Sequence, residues 1–246
     1  MNDVNLFDFE THAITHPGKV RKMNEDACIS RDNIGLWAVA DGMGGHHAGD
    51  VASTNVVTAL NEVSPPTSLR SYVDDVENQL LKCNANLRAM STNELNNRTI
   101  GSTVASLIIY QDFCAYLWAG DSRLYRLRRG ALTQLGRDHS QVEELVVQGV
   151  IKREDAESHP DANIITRAIG ADDNLVVDVN VDKVEIGDTY LLCSDGLSKH
   201  VGFKEIKALL LEGSSMDICS KLINITLERG ATDNVTVTVI KVKPKE

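Results

Sequence analysis

The chain has 246 residues, 42% hydrophobic and 24% charged, a composition ordinary for a globular protein long enough to bury a substantial core. Its formal charge of −10, from 25 basic and 35 acidic residues, argues against general nucleic-acid binding, which needs a basic footprint. The longest apolar run, Val104–Tyr110, is strand-sized, and Met-Asn-Asp-Val-Asn at the start shows no secretory pattern, so neither membrane insertion nor export is expected.

In chain order, strands are expected near 13–16, 27–30 and 35–40, followed by helices at 47–63 and 69–91 with a loop at Pro65-Pro66 between them. Neighbouring strands at 103–110, 114–119 and 124–128 come next, then a short helix at 141–148 and strands at 175–181 and 189–193. Paired helices at 203–211 and 216–229 precede a final strand at 235–242, where Val-Thr-Val-Thr-Val alternates cleanly. Strands that arrive as neighbours and helices that arrive in pairs do not make a doubly wound fold. The class expected is α+β, with packed antiparallel sheets, helices outside, and residues 1–246 in one domain. The five cysteines (Cys28, Cys83, Cys114, Cys193, Cys219) include no Cys-x-x-Cys pair, which fits a reducing cytoplasm.

The acidic residues are placed against this frame in a telling way. Asp41 follows Leu36-Trp37-Ala38-Val39-Ala40, Asp121 follows Tyr116-Leu117-Trp118-Ala119-Gly120, and Asp195 follows Tyr190-Leu191-Leu192-Cys193-Ser194. Asp233 directly precedes the last strand, and Glu25-Asp26 adjoins an early one. Singly, each has an innocent reading: Asp-Gly at Asp41 and Asp195 is a common turn dipeptide, and Asp233-Asn234 can start a strand. Together, six carboxylates at strand ends suit a rim held by rigid elements. Hard divalent cations take oxygen ligands, and two of them about 4 Å apart, bridged by a carboxylate, activate a water for attack. Arg21, shortly before the acidic pair, has the planar guanidinium that clamps phosphate oxygens, although taken by itself it reads better as a surface arginine in a basic stretch.

Rival phosphate chemistries lack their residues. No cysteine has an arginine at the spacing of a cysteine phosphatase, Cys83 and Arg88 being one position short. Asp178-Val179-Asn180 lacks the second acid of an Asp-x-Asp nucleophile, and neither a phosphate-binding Gly-Lys-Ser/Thr loop nor His-Glu-x-x-His occurs.

Eight stretches in order resemble the metal-dependent protein phosphatases, the type 2C serine/threonine phosphatases. They are Val20-Arg21-Lys22-Met23-Asn24-Glu25-Asp26, Val39-Ala40-Asp41-Gly42-Met43-Gly44-Gly45-His46, Gly101-Ser102-Thr103, Ala119-Gly120-Asp121-Ser122-Arg123-Leu124-Tyr125, Asp138-His139-Ser140, Thr166-Arg167-Ala168-Ile169-Gly170, Ser194-Asp195-Gly196-Leu197 and Asp233-Asn234-Val235-Thr236. They span nearly the whole chain. The resemblance implies an αββα sandwich with a cleft at one end that holds two core Mn2+ or Mg2+ ions and a third. It implies Asp41 as the bridging carboxylate, the Gly42 carbonyl on the second ion, and Asp195 and Asp233 completing the first. Asp26 supports the second ion directly or through water, with Glu25 beside it. Asp121 matches the third-ion ligand of microbial members, shared with Asp195. Arg21 matches the phosphate-binding arginine, and 140–165 matches a mobile flap.

One departure matters. Animal members carry a histidine directly after Asp-Gly as the proposed general acid, where this chain has Met43. Bacterial relatives share its pattern, with a histidine after Gly-Gly, here His46. Protonation of the leaving oxygen falls to His46, to a metal-bound water, or to neither, and His46-His47 also reads as an exposed helix start. The implied activity is hydrolysis of phosphoserine and phosphothreonine in proteins, without a phosphoenzyme, opposing a bacterial serine/threonine kinase.

Overall fold

In the computed structural model, which describes residues 6–44, 48–93 and 99–245, the chain opens with β1 (Phe7–His16), β2 (Asp26–Arg31) and β3 (Leu36–Met43). Helices α1 (Ala48–Asn61) and α2 (Leu69–Asn93) follow, parted by the Pro65-Pro66 loop, where proline cannot continue a helix. Strands β4 (Gly101–Ser102), β5 (Val104–Tyr110), β6 (Phe113–Ala119), β7 (Arg123–Arg128) and β8 (Ala131–Leu135) come next, then helix α3 (Gln141–Val147) and a 3-10 helix at Arg153–Ser158. The chain continues through β9 (Asp178–Lys183), β10 (Thr189–Cys193), the single turn α4 (Asp195–Ser198), α5 (Phe203–Leu210), α6 (Ser215–Glu228) and β11 (Val235–Pro244).

Two antiparallel sheets result, ordered β1-β11-β10-β7-β8 and β2-β3-β5-β6-β9, with β4 paired to the end of β3. Period-two burial explains why they stack. On β3, Leu36, Ala38 and Ala40 join the core formed with α1 and α2, while Trp37 and Val39 face the sheet that contains β10. On β10 the same alternation sends Leu191 and Cys193 toward α5 and α6, and Tyr190 and Leu192 toward the sheet that contains β3. Helices therefore cover both outer faces, giving the αββα layering expected from the resemblance.

The expected elements differ from the observed ones at several places: the strand expected at 13–16 starts already at Phe7, and the 3-10 helix and α4 were not expected. Strand β8 was not anticipated: Arg129 and Gly130, at φ of +50° and +77°, form a two-residue hairpin turn that folds it back on β7. The expected strand at 175–181 pairs only from Asp178, because its partner β6 begins to pair at Trp118; Leu175 and Val177 still bury in the core beneath the helices. The strand expected at 103–110 is β5, preceded across Thr103 by the unanticipated β4, and β3 runs on through Asp41 and Gly42 to Met43. Asp41-Gly42 is thus strand interior and not a turn.

Residues 140–165 form an excursion closed at its base. Ser140 and Ile165 make an isolated antiparallel bridge, and the Gln141 amide donates to the Ile164 carbonyl at 2.9 Å. Ser140 also caps α3, its hydroxyl accepting from the Glu143 amide. Buried Glu143 receives the Arg153 guanidinium and lies 3.5 Å from that of Arg137, which ties α3 to the 3-10 helix.

Candidate metal centre

Five acidic segments meet, at the starts of β2 and β11 and at the ends of β3, β6 and β10. Asp26 and Asp41 are register partners across β2 and β3, so one antiparallel ladder brings them side by side. The Asp41 amide donates to Thr103 Oγ1 at 3.0 Å, and the Asp41 carbonyl accepts from the Thr103 amide at 2.8 Å and from Ser102 Oγ at 3.0 Å. Asp26 Oδ2 accepts from Ser194 Oγ at 2.7 Å and from Thr236 Oγ1 at 2.8 Å, which stitches β2 to the ends of β10 and β11. Asn234 completes the stitch: its Oδ1 accepts from the Glu25 amide at 2.8 Å, and its Nδ2 donates to the carbonyls of Pro17 and Met23.

Two glycines permit the approach of these backbones. A Cβ on Gly42 would stand 1.9 Å from the Gly49 carbonyl oxygen and 2.7 Å from that of Glu25. A Cβ on Gly196 would stand 1.9 Å from the Asn234 carbonyl oxygen, so α4 can dock against the start of β11 only with glycine there.

The electrostatics are those of a crowded acidic site. Burial, reinforced by Asp26, Asp195, Asp121 and Asp233, raises the Asp41 carboxyl well above the ordinary range. Burial, with Asp195 and Asp233 nearby, raises Asp26 to about 7 despite its two hydroxyl donors. Asp121 is likewise raised to about 7 by burial, then by Asp195 and Asp138. Asp26 Oδ1, Asp121 Oδ1 and Asp195 Oδ1 are buried without a hydrogen-bond partner among the described residues. Buried oxygens left bare and negative are costly unless a cation meets them, and this donor set of hard carboxylates and backbone carbonyls fits Mg2+ or Mn2+.

As they stand, no three His, Cys, Asp or Glu side chains among the described residues are gathered tightly enough to hold an ion by themselves. Two basic residues reach in among them. Arg21 pairs with Asp233 through Nε at 3.0 Å and Nη2 at 3.1 Å, and Lys199 Nζ lies 2.5 Å from Asp195 Oδ2. The bare oxygens outweigh the missing triad here, since magnesium keeps several waters and binds through only a few carboxylates.

Of the residues singled out from sequence, Arg21, Asp26, Asp41, Gly42, Asp121, Asp195 and Asp233 thus converge on one rim, and His46 lies outside the described residues. Arg21 is half-exposed but faces the rim and not solvent alone. The supporting donors Ser102, Thr103, Ser194, Asn234 and Thr236 lie within the resembling stretches, where nothing marked their roles. Their one signal is polarity at positions where neighbouring strand residues are apolar. Lys199 was missed altogether. The thiols offer no nucleophile: burial pushes Cys83, Cys193 and Cys219 up to about 12 and raises Cys28 and Cys114.

A cleft of about 770 Å3 opens beside the rim, lined by Asp121, Asp195 and Lys199 on one side and by Ser140, Glu143 and Arg153 on the other.

Comparison with known proteins places the chain in a family and a fold. The family model described as "Protein phosphatase 2C" matches residues 19–235. The serine/threonine phosphatase stp of Listeria monocytogenes is 35% identical over 235 residues, covering 92% of this chain and 93% of its own. The structure of PppA, a key regulatory component of the T6SS in Pseudomonas aeruginosa, superposes with a TM-score of 0.87 at 38% identity, covering 95% of this chain and 97% of that one. The catalytic domain of the serine/threonine protein phosphatase PstP, solved in complex with two manganese ions, gives a TM-score of 0.86 at 33% identity, covering 96% of this chain and 99% of that one. This chain belongs to the protein phosphatase 2C family, in its bacterial form, and is a metal-dependent hydrolase of phosphoserine and phosphothreonine in proteins.

Proposed function

We propose that the rim of Asp26, Asp41, Asp121, Asp195 and Asp233, with the Gly42 carbonyl, is the catalytic metal site, and that it cleaves its phosphoprotein substrate in one displacement. The observation that carries this is the set of three buried, unpartnered carboxylate oxygens on Asp26, Asp121 and Asp195, gathered from separate strand ends. When bound, the ions supply an activated water and offset phosphate charge. Asp41, on the shared ladder with Asp26, is placed to serve both core positions, Asp195 and Asp233 the first, and Asp26 and Gly42 the second. Asp121 and Asp195, which face each other electrostatically, serve a third. Arg21 swings from Asp233 to clamp the phosphate oxygens. The excursion at 140–165 acts as a flap that shapes which peptide reaches the rim. No buried thiol is available for a covalent intermediate.

The substrates are proteins phosphorylated by a cognate serine/threonine kinase system in the cytoplasm, where the free cysteines would stay reduced. Acid-quenched single turnovers with a 32P-labelled phosphothreonine peptide test the mechanism. Label should pass directly to inorganic phosphate; label retained on the protein would overturn the single displacement. Slow turnover of nucleotides at the same Mn2+ concentration is expected from a protein phosphatase, and preference for them would reassign the substrate.

Arg21→Ala should raise KM for phosphopeptide at saturating Mn2+ by roughly thirtyfold, about 2 kcal/mol, near the low end for a charged contact because the side chain is half-exposed. Unchanged KM and kcat would return Arg21 to the surface.

Asp121→Asn keeps shape while removing the charge that a hard cation prefers. The variant should fold, keep two Mn2+ ions, lose one weaker site by calorimetry and lose most phosphopeptide turnover. An unaltered titration with normal turnover would leave Asp121 a structural residue only.

A further inference from the structure

Lys199 ends the α4 turn, one helical turn beyond Asp195, and its own amide donates to the Asp195 carbonyl at 3.0 Å. Its Nζ lies 2.5 Å from Asp195 Oδ2 and 3.9 Å from Asp233 Oδ2. One ammonium therefore spans two carboxylates brought together from different chain segments, and Asp121 adds to the field around it. The lysine has little slack to leave by backbone movement, because Gly196 packs α4 directly against the Asn234 carbonyl. Arg21, the other cation at the rim, differs: it is more exposed, and among the described residues its ion pair is with Asp233.

A divalent ion entering between Asp195 and Asp233 needs oxygens that the ammonium already engages, and like charge disfavours holding both at contact distance. The lysine stem is flexible, however, and its side chain also lines the 770 Å3 cleft, so the ammonium has somewhere to go. We propose that Lys199 is a built-in counter-cation of the carboxylate rim, which a metal ion must displace into the cleft, so that this one residue sets how tightly the centre holds metal. This rests on the rim being the metal site. Lys199 then stabilises the fold before metal enters and weakens metal binding by competition, two effects with a common origin and opposite readouts.

Manganese binding followed by electron paramagnetic resonance of the free ion tests the inference, with wild type, Lys199→Met, Lys199→Gln and Lys199→Arg at one fixed pH. Met and Gln remove the charge and are one atom shorter than lysine, and Arg retains a cation. The two neutral variants should bind the core Mn2+ about tenfold more tightly or better, and the arginine variant should stay near wild type. In chelator the neutral variants should melt below wild type, and in saturating Mn2+ this deficit should vanish. Mn2+ affinity within twofold of wild type, or weaker, in whichever neutral variant folds would overturn the counter-cation role while leaving the metal centre intact. No Mn2+ binding by wild type would instead overturn the metal centre, and this inference with it.

Discussion

Asp41→Ala is expected to reduce phosphopeptide turnover about a thousandfold or more, the scale of several kcal/mol that metal activation of water contributes. Among the described residues, no other carboxylate lies on the shared ladder opposite Asp26 and within the field of Asp195, Asp121 and Asp233 together. Its removal takes away the group best placed to bridge two ions. The same substitution should stabilise the protein in chelator. A carboxyl whose folded pKa is raised costs little below its ordinary range, and stability is lost as pH rises toward the folded value. Removing Asp41 abolishes that loss at neutral pH. Activity and unfolding temperature should thus move in opposite directions, with the variant melting higher than wild type in chelator and gaining less from added Mn2+. Wild-type turnover in the folded variant would remove Asp41 from the centre.

Gly42→Ala is expected to damage the centre from the backbone side. Its Cβ would overlap the Gly49 carbonyl oxygen at 1.9 Å and the Gly49 carbonyl carbon at 2.5 Å, both backbone atoms at the start of α1. A flexible side chain could yield, but here α1 must move away from β3. Overpacking on this scale costs about 3 kcal/mol, which for a chain of this length lowers the unfolding temperature by about 6–12 °C. The Gly42 amide donates to the Glu25 carbonyl at 3.0 Å, so the shift also separates β3 from the acidic segment, and Mn2+ affinity should fall with stability. Gly202→Ala is the control: its Cβ meets only Glu205 Oε2 at 3.9 Å, and a loss of under about 1 kcal/mol is expected. Equal melting of the two variants, measured calorimetrically, would show that the close approach at Gly42 is not limiting.

The carboxylates were legible because they stand next to apolar strands, continuous at 36–40 and 190–193 and alternating at 235–239. Their convergence was legible only through the order of the eight stretches, since strand ends far apart in sequence meet by topology. What escaped has physical causes. Asp41-Gly42 carries turn chemistry, yet the ladder with β2 and β4 continues through it, because close packing against α1 and not a reversal explains the glycine. Ser194 and Thr236 gave no sign that both donate to one oxygen of Asp26, a relation fixed by adjacent strands in the folded sheet. Lys199 falls between the expected strand at 189–193 and the expected helix at 203–211, where nothing in the sequence singles it out. Its meaning depends on Asp233, which arrives from the far side of α6.

Phosphate release from a phosphothreonine peptide, followed as free Mn2+ is raised from excess chelator to saturation and lowered again, tests the central claim most directly. Release should be absent in chelator, rise to a plateau with Mn2+ and vanish reversibly on its removal, while a thiol alkylator that leaves the protein folded has no effect. Undiminished release in excess chelator, or loss of activity on alkylation of the folded protein, would contradict a metal-dependent hydrolysis at the Asp41 rim.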